Sequence, residues 1–171
     1  DTEMRSFKLI VITILLLTSG SVSALPLLNV DFGFDNLGPG LPNTYGAASG
    51  QVGTWNKVTT LGLTGGLLDI SGAVSGTSIN IFADSWSTTG FYVTDDEKLL
   101  SDGLFRTGGN WSMTFAGLDN GVYDVYYYAP QHAMDTGDIT INGTLVPYLL
   151  GNINTLVQGA SWDVLSGVAV T

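Results

Sequence analysis

Period-two alternation broken by glycine-bearing turns is the pattern that most restricts this chain. Trp111, Met113 and Phe115 alternate with Ser112, Thr114 and Ala116, which puts three large apolar side chains on one face of an extended strand and small ones on the other. Residues 121–128 follow, rich in the aromatic and β-branched types that strands favour. Between the two runs, residues 117–121 tolerate positive φ, so an antiparallel hairpin is expected there. A second hairpin is expected from 138–141 and 145–148 around Asn142-Gly143, the pair best suited to a type I′ turn, with Pro147 marking an edge or a bulge. Further strands are expected at 28–34, 54–58, 67–71, 78–83, 91–94 and 161–171. Beyond residue 24 no helix-sized window keeps apolar spacing of three and four, and only 96–100 has the makeup of a short helical turn. About nine or ten short strands at this spacing predict an all-β fold, an antiparallel two-sheet β-sandwich without parallel βαβ units.

Composition limits the partners. With 15 acidic residues against 5 basic ones the net charge is −10, so a polyanion is repelled and nucleic-acid binding is disfavoured. A hydrophobic fraction of 44% supplies a core, and 171 residues suit one compact domain. The absence of cysteine removes any disulfide framework and any thiolate-held metal centre.

The N-terminal segment has the layout of an address. Arg5 and Lys8 precede an apolar run from Leu9 to Leu17, interrupted by Thr13, and residues 18–24 then turn small and polar. Residues 1–24 are therefore expected to comprise upstream residues before Met4 and a secretory signal peptide cleaved after Ala24. Residues 25–171 are expected to form a single exported domain, secreted or at the cell surface. The apolar run is about half of the ~20 residues a spanning helix needs, so no membrane span is expected after processing. Processing removes two acids and two bases, leaving Lys57, Lys98 and Arg106 as the only cations and the net charge at −10. Residues 36–53 form a long Gly-, Pro- and Asn-bearing stretch without a charge, expected to be an ordered surface loop. The alternation runs up to Thr171, so the sequence is expected to stop inside a larger protein.

Four segments in order carry a resemblance: Val30-Asp31-Phe32-Gly33, the run from Leu99 to Leu104, the run from Phe115 to Tyr126, and Ile139-Thr140-Ile141-Asn142-Gly143. Over residues 28–171 the chain resembles the galactose-binding-like jelly rolls, particularly malectin-like modules. It is also similar to exported bacterial proteins that end in a Pro-Glu-Pro sorting tail, a tail this sequence lacks. The resemblance implies a jelly roll of two antiparallel sheets, common in carbohydrate-binding modules and extracellular surface proteins. It also implies that a structural calcium ion is a frequent companion of the fold.

Sugar recognition without catalysis sets flat aromatic faces against a pyranose and satisfies its hydroxyls with polar side chains at the rim. If Tyr123, Val125 and Tyr127 face the core, then Asp124, Tyr126 and Tyr128 share the opposite face, with Gln131 and His132 in the loop that follows. Trp86 and Tyr92, near the turn at 85–90, form a second candidate. The plainer reading is that the second face is covered by another strand or loop. Trp55, Trp111 and Trp162 lie in alternating runs and read as core. Carboxylates gather at Asp95, Asp96 and Glu97 with Asp102 nearby, and again at Asp135 and Asp138, supplying hard oxygen ligands suited to Ca²⁺, although acidic turns of this kind usually just face water. No cofactor is required by this reading.

Hydrolytic chemistry has little to build on. His132 is the only histidine, no Gly-x-Ser-x-Gly elbow occurs, and Glu97 is the only glutamate after the leader. The chain therefore reads as an exported, non-catalytic module that binds a glycan or surface polysaccharide, or adheres at a cell surface. The competing reading is a structural surface or matrix protein acting through protein contacts.

Overall fold

The computed structural model describes residues 13–15, 27–33, 40–88, 93–105, 111–128, 139–147, 149, 151 and 154–171. In chain order the elements are β1 (Thr13–Leu15), β2 (Asn29–Phe32), β3 (Trp55–Val58), β4 (Gly62–Thr64), β5 (Ser78–Phe82), β6 (Ser85–Thr88), α1 (Asp95–Ser101), β7 (Asp102–Phe105), β8 (Ser112–Ala116), β9 (Gly121–Tyr127), β10 (Ile139–Ile141), β11 (Thr144–Val146) and β12 (Asp163–Val170). They form a five-stranded sheet in the order β12-β9-β1-β2-β3, a three-stranded sheet β4-β5-β8, and two ribbons, β6-β7 and β10-β11. The protein is thus rich in strands, with one short helix among the described residues, as the alternation predicts. No helix among those residues is long and apolar enough to cross a membrane.

The hairpin at Asn142-Gly143 forms as expected. Both residues take positive φ, 48° and 77°, which is what a type I′ turn demands, and β10 pairs with β11 from Ile139↔Val146 to Ile141↔Thr144. The other expected hairpin does not form. β8 pairs with β5, whereas β9 pairs with β12 and β1. Gly117, at φ 78°, turns so close to residues 76–77 that a Cβ there would lie 2.6 Å from the Gly76 carbonyl oxygen. The connection therefore carries the chain from one sheet to the other, and the Tyr123 hydroxyl braces the corner by donating to the Asp119 carbonyl at 2.6 Å. Turn chemistry marked a reversal here but did not specify its partner strand.

Two more expectations change. β2 and β3 run parallel, from Asn29↔Trp55 to Phe32↔Val58, whereas the other strand pairs among the described residues are antiparallel. The long loop between them returns the chain to the same end of the sheet, which a hairpin cannot do. Residues 67–71 do not form a regular strand but contribute one isolated bridge, Leu68↔Val74. Asp69 explains this: its carboxylate accepts hydrogen bonds from Ser71 N (2.8 Å), Ser71 Oγ (2.6 Å) and Ala73 N (3.0 Å), a local turn that competes with a ladder. The same contacts, led by the Ser71 hydroxyl, hold its carboxyl below the usual carboxylate range. Of the strand expected at 91–94, residues 91 and 92 lie outside the described residues, and 93–94 lead into α1.

Both larger sheets feed one core. Val30, Phe32 and Val58 from the first, Ile79 and Ile81 from the second, and Leu99 and Leu100 from α1 are buried in a single cluster. Trp55, Trp111 and Trp162 pack against that cluster, each partly buried. β2 is buried on both faces, including Asn29 and Asp31. Its second face lies under the loop of residues 41–53, where Asn29 Nδ2 donates to the Gln51 carbonyl at 3.1 Å.

Candidate functional site

The face of β9 expected to point outward is largely covered. Tyr123, Val125 and Tyr127 are buried, but Tyr128 is buried too, at 1% exposure, and it is Tyr128 and Tyr126 that pack in the main core while Tyr127 joins a smaller cluster with Val146 and Leu149. The Tyr128 hydroxyl accepts a hydrogen bond from Ala48 N at 3.0 Å, so the charge-free loop lies over it. Tyr126 is half-buried and stacks on Trp162, with centroids 5.9 Å apart and planes 27° off parallel. One face of its ring is therefore already taken. Asp124 Oδ1 accepts from Gly167 N at 3.2 Å, which steadies the irregularity in β12 between Leu165 and Val168. These three residues hold the fold together, as the plainer reading of a covered second face has it. Trp86 belongs to β6, while Tyr92, Gln131 and His132 lie outside the described residues.

The loop itself is ordered by aromatic contacts. Tyr45 packs on Trp55 with centroids 5.8 Å apart, and the Trp55 indole donates to the Tyr45 carbonyl at 2.9 Å. The Tyr45 hydroxyl donates to Asp96 Oδ1 at 2.7 Å, tying the loop to α1. Burial first, and then the neighbouring Asp96, push the Tyr45 hydroxyl pKa far above its ordinary value.

The acidic group expected to suit a cation is divided among separate tasks. Asp95 Oδ1 pairs with Lys98 at 2.8 Å. Asp96 accepts from Tyr45 and, through Oδ2, from Leu156 N at 3.3 Å. Glu97 Oε2 accepts from Val93 N and Thr94 N at 2.8 and 2.9 Å, while the Thr94 hydroxyl accepts from Glu97 N at 3.2 Å, a capping box at the start of α1. The two backbone donors hold the Glu97 carboxyl below its usual range. Asp102 opens β7, and Asp135 and Asp138 lie outside the described residues. Among the described residues no three His, Asp or Glu side chains come together as a metal site.

A different surface has the properties of a platform. In the sheet β4-β5-β8 the register aligns Leu63, Asn80 and Thr114 in one cross-strand row, Phe82 with Ser112 in the next, and Ser78 with Ala116 on the other side. Alternation turns Ile79 and Ile81 into the core and leaves Asn80, Phe82, Ser112, Thr114 and Ala116 exposed. Phe82 is 57% exposed and Leu63 74%. None of the residues of these three strands is charged, on a chain of net charge −10. The face thus combines an aromatic ring, an aliphatic side chain, one carboxamide and two hydroxyls, groups that both donate and accept. No acid–base pair stands in it. The alternation in 78–83 already assigned Phe82 to the side opposite the two isoleucines, but only the sheet partners show that no further layer covers that side among the described residues.

Compared with known proteins, the chain matches no family model, no curated protein and no solved structure.

Proposed function

We propose that this protein is an exported, non-catalytic carbohydrate-binding or surface-adhesion module of jelly-roll type, akin to the galactose-binding-like domains, with its glycan site on the open face of β4-β5-β8. The observation that carries the reading is the exposed Phe82 ring set among Asn80, Ser112 and Thr114 on strands that bear no charged residue. An aromatic face gains by covering the apolar side of a sugar ring, and the neighbouring amide and hydroxyls replace water at the sugar hydroxyls. Strand spacing of ~4.8 Å is close to the repeat of an extended polysaccharide, so successive sugars can meet successive strands. The absence of charge favours a neutral glycan.

Affinity electrophoresis or an array of neutral polysaccharides tests this. Saturable binding is expected, weakened about tenfold or more in Phe82→Ala and less in Asn80→Ala, as for the central anchor of a binding surface. Binding unchanged in both variants, or no glycan retained at all, would sink the assignment. The exposure of Leu63 beside Phe82 favours a second reading, a matrix protein that associates through this face. Self-association independent of sugar and abolished by Leu63→Ser would establish it instead.

A further inference from the structure

We propose that residues 41–53 form a strap poised to open as a unit, lying over a polar and aromatic face of the five-stranded sheet and held there against the cost of one buried carboxamide. The segment is built to move whole. Gly53 N donates to the Asn43 carbonyl at 2.8 Å, so its two ends are tied to each other. Within it, Tyr45 N donates to Pro42 O at 2.9 Å, Gly50 N to Ala47 O at 3.3 Å and Ser49 Oγ to Gly46 O at 3.0 Å. A surface loop with joined ends and bonds of its own keeps its shape when its outer contacts break. Those outer contacts are polar and fall mostly on its backbone. Asn29 Nδ2 donates to Gln51 O at 3.1 Å, Trp55 Nε1 donates to Tyr45 O at 2.9 Å, and Ala48 N donates to the Tyr128 hydroxyl at 3.0 Å. The Tyr45 hydroxyl adds a latch to α1, donating to Asp96 Oδ1 at 2.7 Å.

One group inside the closed strap works the other way. Gln51 is 8% exposed, and neither Oε1 nor Nε2 of its carboxamide has a hydrogen-bond partner. Water would satisfy both atoms, so closing desolvates a donor and an acceptor without return, a cost comparable with what one or two of the crossing hydrogen bonds contribute. Packing tips the balance toward closure: Leu41 is buried in the main core, and Tyr45, Ala47 and Ala48 pack against it partly buried. Leu41 at one end, and at the other Thr54 N donating to Ile70 O at 2.9 Å, fix the points about which the strap turns. Closure opposed in this way places the open strap between the native state and global unfolding, as a sub-global opening. Opening uncovers Asn29, Trp55 and Tyr128, whose amide, indole and hydroxyl meet peptide groups of the closed strap. The strap is thus seated as a built-in occupant of that face.

The test is native-state hydrogen exchange of the full chain, read residue by residue. The Ala48 amide, bonded across to Tyr128, is expected to show at least about tenfold less protection than the Gly53 amide, whose bond to Asn43 travels with the strap. Gln51→Met keeps the length of the side chain and removes both unsatisfied atoms, so protection at Ala48 is expected to rise about fivefold or more. Tyr45→Phe removes the latch on Asp96, and the same protection is expected to fall about fivefold or more. Two results would overturn the proposal: equal protection at Ala48 and Gly53 in the parent chain, which would mean that the strap does not open as a unit, or a Gln51→Met chain whose Ala48 protection is unchanged or lower, which would mean that the carboxamide does not oppose closure.

Discussion

Asn56 links strand β3 to the segment beside it by copying a peptide group. Its Oδ1 accepts from Leu68 N at 2.7 Å while its Nδ2 donates to Leu68 O at 2.6 Å and to Asn29 O at 3.1 Å. A side chain here does what a neighbouring strand does elsewhere, because the Asp69 turn has drawn residues 69–73 out of any regular ladder. Asn56→Ala would leave both Leu68 groups unsatisfied, and urea unfolding is expected to show a loss of about 2 kcal/mol. Asn56→Asp, which keeps the acceptor and loses the donor, should fall between the two. A variant as stable as the parent would mean that water satisfies Leu68 freely. Asn56 carries no mark in the sequence: one asparagine in an alternating run looks like any other until the atoms facing it are known.

At the scale of elements, α1 is a helix of seven residues, too short to persist by itself, and it is held at both ends. Leu99 and Leu100 anchor it in the core, while Thr94 and Glu97 satisfy the first backbone donors. The lowered pKa of Glu97 gives this cap a pH signature. Its contribution to stability is complete above the ordinary glutamate pKa of about 4.3 and is lost as pH falls through the lower value in the folded state. Glu97→Gln keeps a capping group but cannot titrate, so the Tm gap between parent and variant should narrow as pH drops from about 5 toward 2. A gap constant over that range would show that the carboxylate is not capping the helix. The sequence placed this helix to within a residue or two because its makeup is local. It could not place β8 and β9 in different sheets, because nothing within 117–121 records which strand waits on the far side.

For the whole molecule, the buried phenols set the alkaline limit of stability. Burial, with Asp163 nearby, pushes the Tyr127 hydroxyl up to about 12; burial and Asp119 raise Tyr123, and Tyr45 is raised further by burial and Asp96. A tyrosine whose folded pKa lies above its unfolded value of about 10 gives its full stabilisation below pH 10 and loses it as pH rises toward 12. Ultraviolet titration should therefore show part of the seven-tyrosine signal appearing only above about pH 11, together with the loss of native circular dichroism. All seven tyrosines ionising together near pH 10 without unfolding would contradict the packing described for β9 and the loop of residues 41–53.

Alternation, turn dipeptides and charge are properties of near neighbours and of totals. They were enough to establish a strand-rich chain, the Asn142-Gly143 hairpin, the short helix and a net charge of −10, but not which side of β9 meets the main core, where Tyr126 and Tyr128 pack while Tyr127 joins a smaller cluster with Val146 and Leu149. Which face of a strand stays open is a different kind of fact, since it depends on what arrives from far along the chain. The loop of residues 41–53 came to rest on Tyr128, Trp162 came to rest on Tyr126, and the three strands that carry Leu63, Asn80, Phe82 and Thr114 kept their outer side free of a covering layer among the described residues. Period two divides a strand into two sides with equal clarity in every case; only packing between distant segments decides which side meets solvent.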